Sequence, residues 1–128
     1  MVVTALNPAL SIADAAQVTG LSPHTLRYYE RAGLMLEPIT RATSSHRRYN
    51  QAEVDWVTFL TKLRSTGMPI RTMRRYADLV REGAGTEAER LELLQSHRRT
   101  VQAQLEAAAS HLKAIDYKIS LYQERTTP

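Results

Sequence analysis

Cysteine is absent from the 128-residue sequence. This absence excludes disulfides, thiolate metal ligands and cysteine-based redox sensing. The four histidines are scattered, and none is paired at the i, i+4 spacing of a metal site; they are His24, His46, His97 and His111. We therefore predict that the protein holds no metal ion and no other cofactor.

Long apolar runs are also missing, since no segment approaches the roughly 20 residues that a membrane-spanning helix needs. The first ten residues, MVVTALNPAL, carry neither a basic leader nor a cleavage signature. These features predict a cytoplasmic protein with no membrane partner. Paired carboxylates, a nucleophile motif and a phosphate-binding glycine loop are missing too, so we do not expect an enzyme.

Aromatic residues make up only 6% of the chain, although hydrophobic residues reach an ordinary 43%. The core must then be built mainly from aliphatic side chains, and it is modest for a chain of this length. We expect dimerisation to supply part of the stability.

Positive charge is concentrated in the first part of the chain. Residues 1–82 hold 11 Lys or Arg against 7 Asp or Glu, whereas residues 83–128 hold 6 of each. The whole net charge of +4 therefore lies in the first part. This distribution is typical of a protein that binds a polyanion such as double-stranded DNA. Solvated basic surface gives the same pattern, so charge alone leaves both interpretations open.

Two short helices joined by a glycine-containing turn are predicted near the start. Ser11 provides an N-cap for a helix over residues 12–19, which Gly20 ends. A Ser-Pro pair opens a second helix over residues 23–32, and Gly33 suits the left-handed position beyond its end. This is the helix-turn-helix pattern, although many helical hairpins share it.

The second helix carries the candidate DNA-contacting side chains, which are His24, Thr25, Arg27, Tyr28 and Arg31. The start of such a helix offers backbone N–H groups and a positive dipole end to DNA. Arg27 can bind a phosphate or a guanine edge, and Tyr28 can donate to phosphate. In the alternative interpretation Tyr28 and Tyr29 both lie in the core, and Arg27 pairs with Glu30 or Glu53. Tyr29 is favoured as the core residue.

A β-hairpin wing is predicted over residues 34–49, with Ser44-Ser45 near its tip. It offers a basic cluster with one tyrosine, composed of Arg41, His46, Arg47, Arg48 and Tyr49. Strand alternation sends Arg47 and Arg48 to opposite faces. Further along, Lys62, Arg64 and Arg71 are candidates for phosphate contact or ordinary exposed surface.

Two more helices are predicted before a hinge. Asn50 and Glu53 have capping-box spacing and open a helix that runs to about residue 66. Pro69 starts a fourth helix that stops at Gly83. The GAGT segment at residues 83–86 follows as the hinge, because glycine makes unusual backbone angles accessible.

A long coiled-coil helix is predicted over residues 87–123, which contain neither proline nor glycine. In a heptad frame starting at Leu91, nine of the ten a and d positions are apolar or aromatic, and the exception is Arg98. The candidate dimerisation residues are Leu94, Val101, Leu105, Ala108, Leu112, Ile115 and Ile119. A helix of roughly 55 Å is too long to bury this seam on one small domain. We therefore predict a homodimer, with parallel and antiparallel arrangements both open.

Three segments read SIADAAQVTGLSPHTLRYYERAGLM, SHRRY and FLTKLRSTGMPIRTMRRYADLVREG. Their sequence and spacing resemble the MerR family of bacterial transcription regulators, and the resemblance extends from about Ser11 to Tyr122. It implies a homodimer joined by an antiparallel coiled coil. Such a dimer binds an operator inside a promoter with unusually long spacing between its −35 and −10 elements, and distorts that DNA for RNA polymerase.

The resemblance implies DNA contacts from Thr25, Arg27 and Tyr28, a wing contact from Arg47 supported by Tyr49, and a further contact from Arg64. The lack of cysteine departs from the metal-sensing members. The segments most resemble a small subgroup associated with aldehyde or thiol stress. Lys62 stands where that subgroup often has cysteine, which argues against thiol sensing here, and His46 stands where the family often has tyrosine.

The predicted organisation is mainly α-helical: a winged helix-turn-helix domain of four helices and a short wing, followed by a long coiled-coil helix. Its divisions are a flexible segment 1–10, a DNA-binding domain 11–82, a hinge 83–86, a dimerisation helix 87–123 and a tail 124–128. We expect a sequence-specific transcription regulator. The alternative is a coiled-coil adaptor or anti-activator that binds protein, or nucleic acid non-specifically. The sequence identifies no small-molecule effector.

Overall fold

The computed structural model describes residues 9–38, 40–41 and 47–128. The chain divides into two compact units, Met1–Arg90 and Leu91–Pro128. The residues predicted as a hinge, 83–86, belong to the first unit. Most of the segment predicted to be flexible lies outside the described residues, as do the predicted wing tip Ser44-Ser45 and His46.

The first two helices have the predicted bounds to within one residue. Helix α1 spans Ile12–Thr19, and the Ser11 Oγ accepts the backbone N–H of Asp14 at 3.2 Å. Helix α2 spans Pro23–Arg31. Beyond its end Gly33 has a φ of +74°, a backbone conformation that residues with a Cβ rarely adopt. The predicted left-handed position is therefore confirmed.

A small antiparallel sheet lies beside the helices. Its strands are β1 at Leu10–Ser11, β2 at Thr40–Arg41 and β3 at Arg47–Tyr49, in the order β1-β3-β2. The pairing of β2 with β3 confirms the predicted hairpin. Strand β1 was not predicted, because two residues are too few to show the alternation by which a strand is recognised.

Helix α3 spans Gln51–Ser65 and helix α4 spans Ile70–Glu82. The predicted capping box at the start of α3 is confirmed: the Asn50 side chain accepts the backbone N–H of Glu53, and the Glu53 carboxylate accepts the backbone N–H of Asn50. The core of this unit is aliphatic and methionine-rich with two tyrosines. Its largest fully buried side chains are Tyr49, Leu26, Leu34, Leu60, Met68, Met73, Leu79 and Val57.

Helix α5 spans Glu87–Thr126, which is 40 residues and slightly longer than predicted. None of its residues is buried within one chain. Together these elements confirm a mainly helical winged helix-turn-helix fold with a long C-terminal helix. Among the described residues, no helix has the length and apolar character to cross a membrane.

Candidate nucleic-acid interface

Helix α2 is held to the core along one side only. Leu26 and Tyr29 are its buried residues, at 1% and 3% exposure. His24 and Arg31 are exposed, while Thr25 and Arg27 are half-buried. The side chains predicted to read DNA therefore lie on the part of the helix that the core leaves accessible.

The two neighbouring tyrosines of α2 have different environments. Tyr29 is buried, which confirms it as the core residue, whereas Tyr28 is 40% exposed. Their ring centroids are 6.4 Å apart with the planes inclined by 56°. Because aromatic rings attract each other in tilted arrangements at such distances, Tyr29 helps to orient the exposed ring of Tyr28.

The start of α2 is capped by a side chain. The Ser22 Oγ accepts the backbone N–H of Thr25 at 3.1 Å and lies 3.0 Å from the Thr25 Oγ1. Pro23 occupies the first helical position, where its missing N–H removes no helical hydrogen bond. This cap leaves the positive end of the helix dipole beside His24, in the position expected for a helix that approaches phosphate.

The wing strand β3 places its three residues in distinct settings. Arg47 is paired with Arg41 of β2, and Arg48 lies between Thr40 and Ser11 in the sheet. Arg48 is half-buried. Tyr49 is 1% exposed, so its side chain lies in the core, where it can support the wing but cannot reach DNA directly.

Arg64 is exposed near the end of α3 and donates from Nη1 to the carbonyl of Met68 at 3.2 Å. This bond uses one edge of the guanidinium and stabilises the turn into α4. A guanidinium has five N–H donors, so a phosphate contact through the remaining donors is compatible with this arrangement.

The turn that follows α2 is held by side chains that the sequence did not identify. Arg74 Nε donates to the Ala32 carbonyl at 2.8 Å. Arg81 Nη1 donates to the carbonyls of Gly33 at 3.1 Å and Met35 at 2.6 Å. The indole N–H of Trp56 donates to the Leu34 carbonyl at 2.8 Å. We call Arg74, Arg81 and Trp56 the carbonyl clamp.

The amino-acid sequence indicates the carbonyl clamp only weakly. Arg74 and Arg81 are seven residues apart on α4, which places them on one face of the helix. Exposed arginines are common, however, and the spacing does not say which carbonyls they contact. The Trp56 ring is also stacked on the ring of Tyr76, with the centroids 5.7 Å apart.

Two further features of the first unit concern metal and small-molecule sites. Within the part of the chain that the structure describes, no group of three or more His, Asp or Glu side chains is placed to hold a metal ion. A cavity of about 160 Å³ lies beside the first turn of α3 and is lined by Leu36, Glu37, Asn50, Ala52, Glu53 and Trp56. It is smaller than the roughly 300 Å³ at which small-molecule sites begin, so we assign it no effector.

A helix-turn-helix with an accessible second helix, a small β-sheet wing packed on its first helix and a basic first unit define a DNA-binding protein of the winged helix-turn-helix class.

Comparison with known proteins identifies the family. Residues 10–79 match the family model for the MerR HTH family regulatory protein, and residues 54–117 match that for the MerR DNA-binding region. An uncharacterized HTH-type transcriptional regulator of Haemophilus influenzae is 32% identical, over 88% of this chain and 82% of its own length. The chain belongs to the MerR family and is a DNA-binding transcription regulator.

Two solved structures share the fold. HiNmlR, a MerR family regulator lacking the sensor domain and bound to promoter DNA, matches with a TM-score of 0.82 and 31% identity, over 91% of each chain. A putative MerR family regulator from Listeria monocytogenes matches with a TM-score of 0.83 and 34% identity, over 89% of this chain and 86% of the other.

Proposed function

We propose that the chain acts as a homodimer that binds a palindromic promoter operator and distorts the DNA to control RNA polymerase. The observation that carries the proposal is an exposed apolar row on α5, in a chain whose first unit is a DNA-binding domain. The proposed action is regulation without a catalytic step. Since promoter DNA lies in the bacterial cytoplasm, that is also where we place the working protein.

The apolar row supports a second copy of the chain as the partner of α5. Leu105, Leu112 and Ile115 are 60%, 56% and 55% exposed in the single chain, although all three occupy seam positions of the heptad pattern. With Leu94, Val101, Ala108 and Ile119, they form the proposed dimer seam. Leaving such a row in water is unfavourable, and pairing with the same row of a second copy buries it.

The accessible side of α2 supports base and phosphate contacts from His24, Thr25, Arg27, Tyr28 and Arg31. In the proposal Arg47 contacts the DNA backbone from the wing, Tyr49 supports the wing from the core, and Arg64 adds a phosphate contact. A dimer presents two such surfaces, and two recognition helices read half-sites about 34 Å apart. The DNA-bound state of the similar regulator HiNmlR is consistent with this arrangement.

Distortion of the operator is energetically accessible to a dimer. Bending a site of 20–30 base pairs costs on the order of 1–6 kcal/mol, depending on the sequence that is bent. Charge-assisted hydrogen bonds from the guanidinium groups of two protomers can offset that cost. The same DNA sequence is then recognised partly through its deformability.

The test begins with an operator selected from a random library of duplexes by the wild-type chain. We expect DNase protection of a palindrome and, in a promoter with lengthened spacing, altered transcription by purified RNA polymerase. Arg27→Ala should abolish protection while the protein remains a dimer in sedimentation. Arg99→Ala removes the same charge from the exposed face of α5 and serves as the control.

Two results would overturn the proposal. If Arg27→Ala bound the selected operator as tightly as Arg99→Ala, α2 would not be the reading helix. If the wild-type chain enriched no sequence and protected no defined site, an adaptor that binds protein, or nucleic acid non-specifically, would replace the regulator that binds and distorts an operator.

A further inference from the structure

The carbonyl clamp joins the end of α2 to α3 and α4. Four consecutive carbonyl groups, those of residues 32–35, each accept a hydrogen bond from a clamp side chain. Ala32 caps the carbonyl end of α2, which carries a partial negative charge, so the Arg74 guanidinium is electrostatically favourable there. Arg81 is oriented further by its ion pair with Asp78.

We propose that Arg74 and Arg81 are positioning residues for DNA recognition, which set the angle at which α2 meets the base edges. Helix α2 has only nine residues and two buried anchors, Leu26 and Tyr29. These anchors fix which side of the helix faces the core, while the clamp fixes where its far end lies. Base-specific hydrogen bonds require placement to within about 0.5 Å, so the second constraint matters for specificity.

The exposure of the clamp arginines separates positioning from folding. Arg74 is exposed, and the Arg81 side chain retains 31% exposure. Polar contacts at such sites contribute little to the stability of a fold because water competes for both partners. Their loss should therefore change the orientation of α2 more than the amount of folded protein.

Helix α4 is also tied to the first turn of α5. The Arg75 Nη2 lies 2.9 Å from the Glu89 carboxylate, and the hydroxyl of Thr86 donates to the Leu79 carbonyl. All of these residues belong to the first unit. Helix α4 thus contacts both the turn after α2 and the start of α5. Through α4, the clamp fixes the recognition helix α2 relative to the first turn of α5.

The test compares two DNA probes with the full chain. One probe is the duplex selected by the wild-type chain, and the other is a duplex of shuffled sequence and equal length. For Arg81→Ala and Arg74→Ala we expect the affinity for the selected duplex to fall roughly tenfold, because a displaced α2 loses the alignment of about one base contact. The affinity for the shuffled duplex should change no more than it does for Arg99→Ala.

Arg99→Ala is the control because it removes the same charge from an exposed position of α5 and touches neither the turn after α2 nor the contacts between α4 and α5. Arg81→Lys keeps the charge but has a single nitrogen, so it should restore only part of the lost specificity. The sequence preference of each variant, measured by a second round of selection, should broaden for the clamp variants alone.

If Arg74→Ala and Arg81→Ala left the ratio of the affinities for the selected and the shuffled duplex unchanged, the positioning role would be refuted. If Arg81→Ala were recovered only unfolded, the exposed Arg74→Ala would decide the question with the same two probes. The inference rests on α2 being the reading helix. Failure of that premise is recognised separately, because Arg27→Ala would then leave specific binding intact.

Discussion

The hydroxyl of Thr86 donates a hydrogen bond of 2.7 Å to the carbonyl of Leu79, and Thr86 is 4% exposed. The same hydroxyl lies 2.8 Å from the Gly83 carbonyl. On its outer side it accepts from Arg90 Nε at 3.0 Å. The segment predicted as a hinge from its two glycines therefore contains a buried, fully engaged side chain that ties the start of α5 back to α4.

Thr86→Val should lower the free energy of unfolding by about 1–3 kcal/mol, because at conserved volume it removes the buried hydroxyl that bonds to the Leu79 and Gly83 carbonyls and that accepts from Arg90 Nε. Urea denaturation followed by circular dichroism measures the change. Thr100→Val, at an exposed position of α5, is the matched control and should stay within about 0.5 kcal/mol of wild type. Equal effects of the two substitutions would show that the Thr86 bonds contribute nothing to stability.

Asn50→Ala should destabilise the protein by about 0.5–2 kcal/mol, since it removes the side chain that accepts the first-turn N–H of α3. Asn50→Asp retains an acceptor of the same reach and should stay close to wild type. The readout is the midpoint of thermal unfolding for both variants. An Asp variant as unstable as the Ala variant would contradict a capping role.

Leu112→Asp should shift the protein from dimer to monomer, because it places two charges, one from each copy, in the proposed apolar seam. Sedimentation equilibrium at micromolar concentration measures the change. Ser110→Asp adds the same charge on the outer face of α5 and should leave the dimer intact. If both variants sedimented like wild type, Leu112 would lie outside the dimer interface.

Binding to the selected duplex should weaken steeply as salt is raised, because each phosphate neutralised by Lys or Arg releases counterions. For 6–10 phosphate contacts the affinity should fall on the order of a thousandfold or more between 50 and 200 mM salt. Arg64→Ala should reduce the slope of log affinity against log salt by about one unit per protomer that makes the contact. An unchanged slope would remove Arg64 from the proposed interface.

Local interactions explain why the helices could be predicted closely. A cap such as Ser11 or Asn50 binds a backbone N–H group three residues away. The left-handed conformation of Gly33 likewise affects only the residues next to it, at the end of α2. The difference in burial between Tyr28 and Tyr29 was predictable in part. Adjacent residues of a helix point about 100° apart, so a helix with one buried side does not bury both. Strand β1 was missed, since its pairing with β3 depends on residues far along the chain.

The sequence by itself determined the order of the helices, their ends, and the heptad row on α5, because caps, glycines and periodicity act over a few residues. Only the tertiary structure decided that Arg74 meets Ala32, 42 residues away, and that Arg81 meets Gly33, 48 residues away. It also decided that Tyr49 lies in the core. Such contacts depend on how separate elements pack, and no short-range pattern encodes which distant carbonyl an arginine will bind.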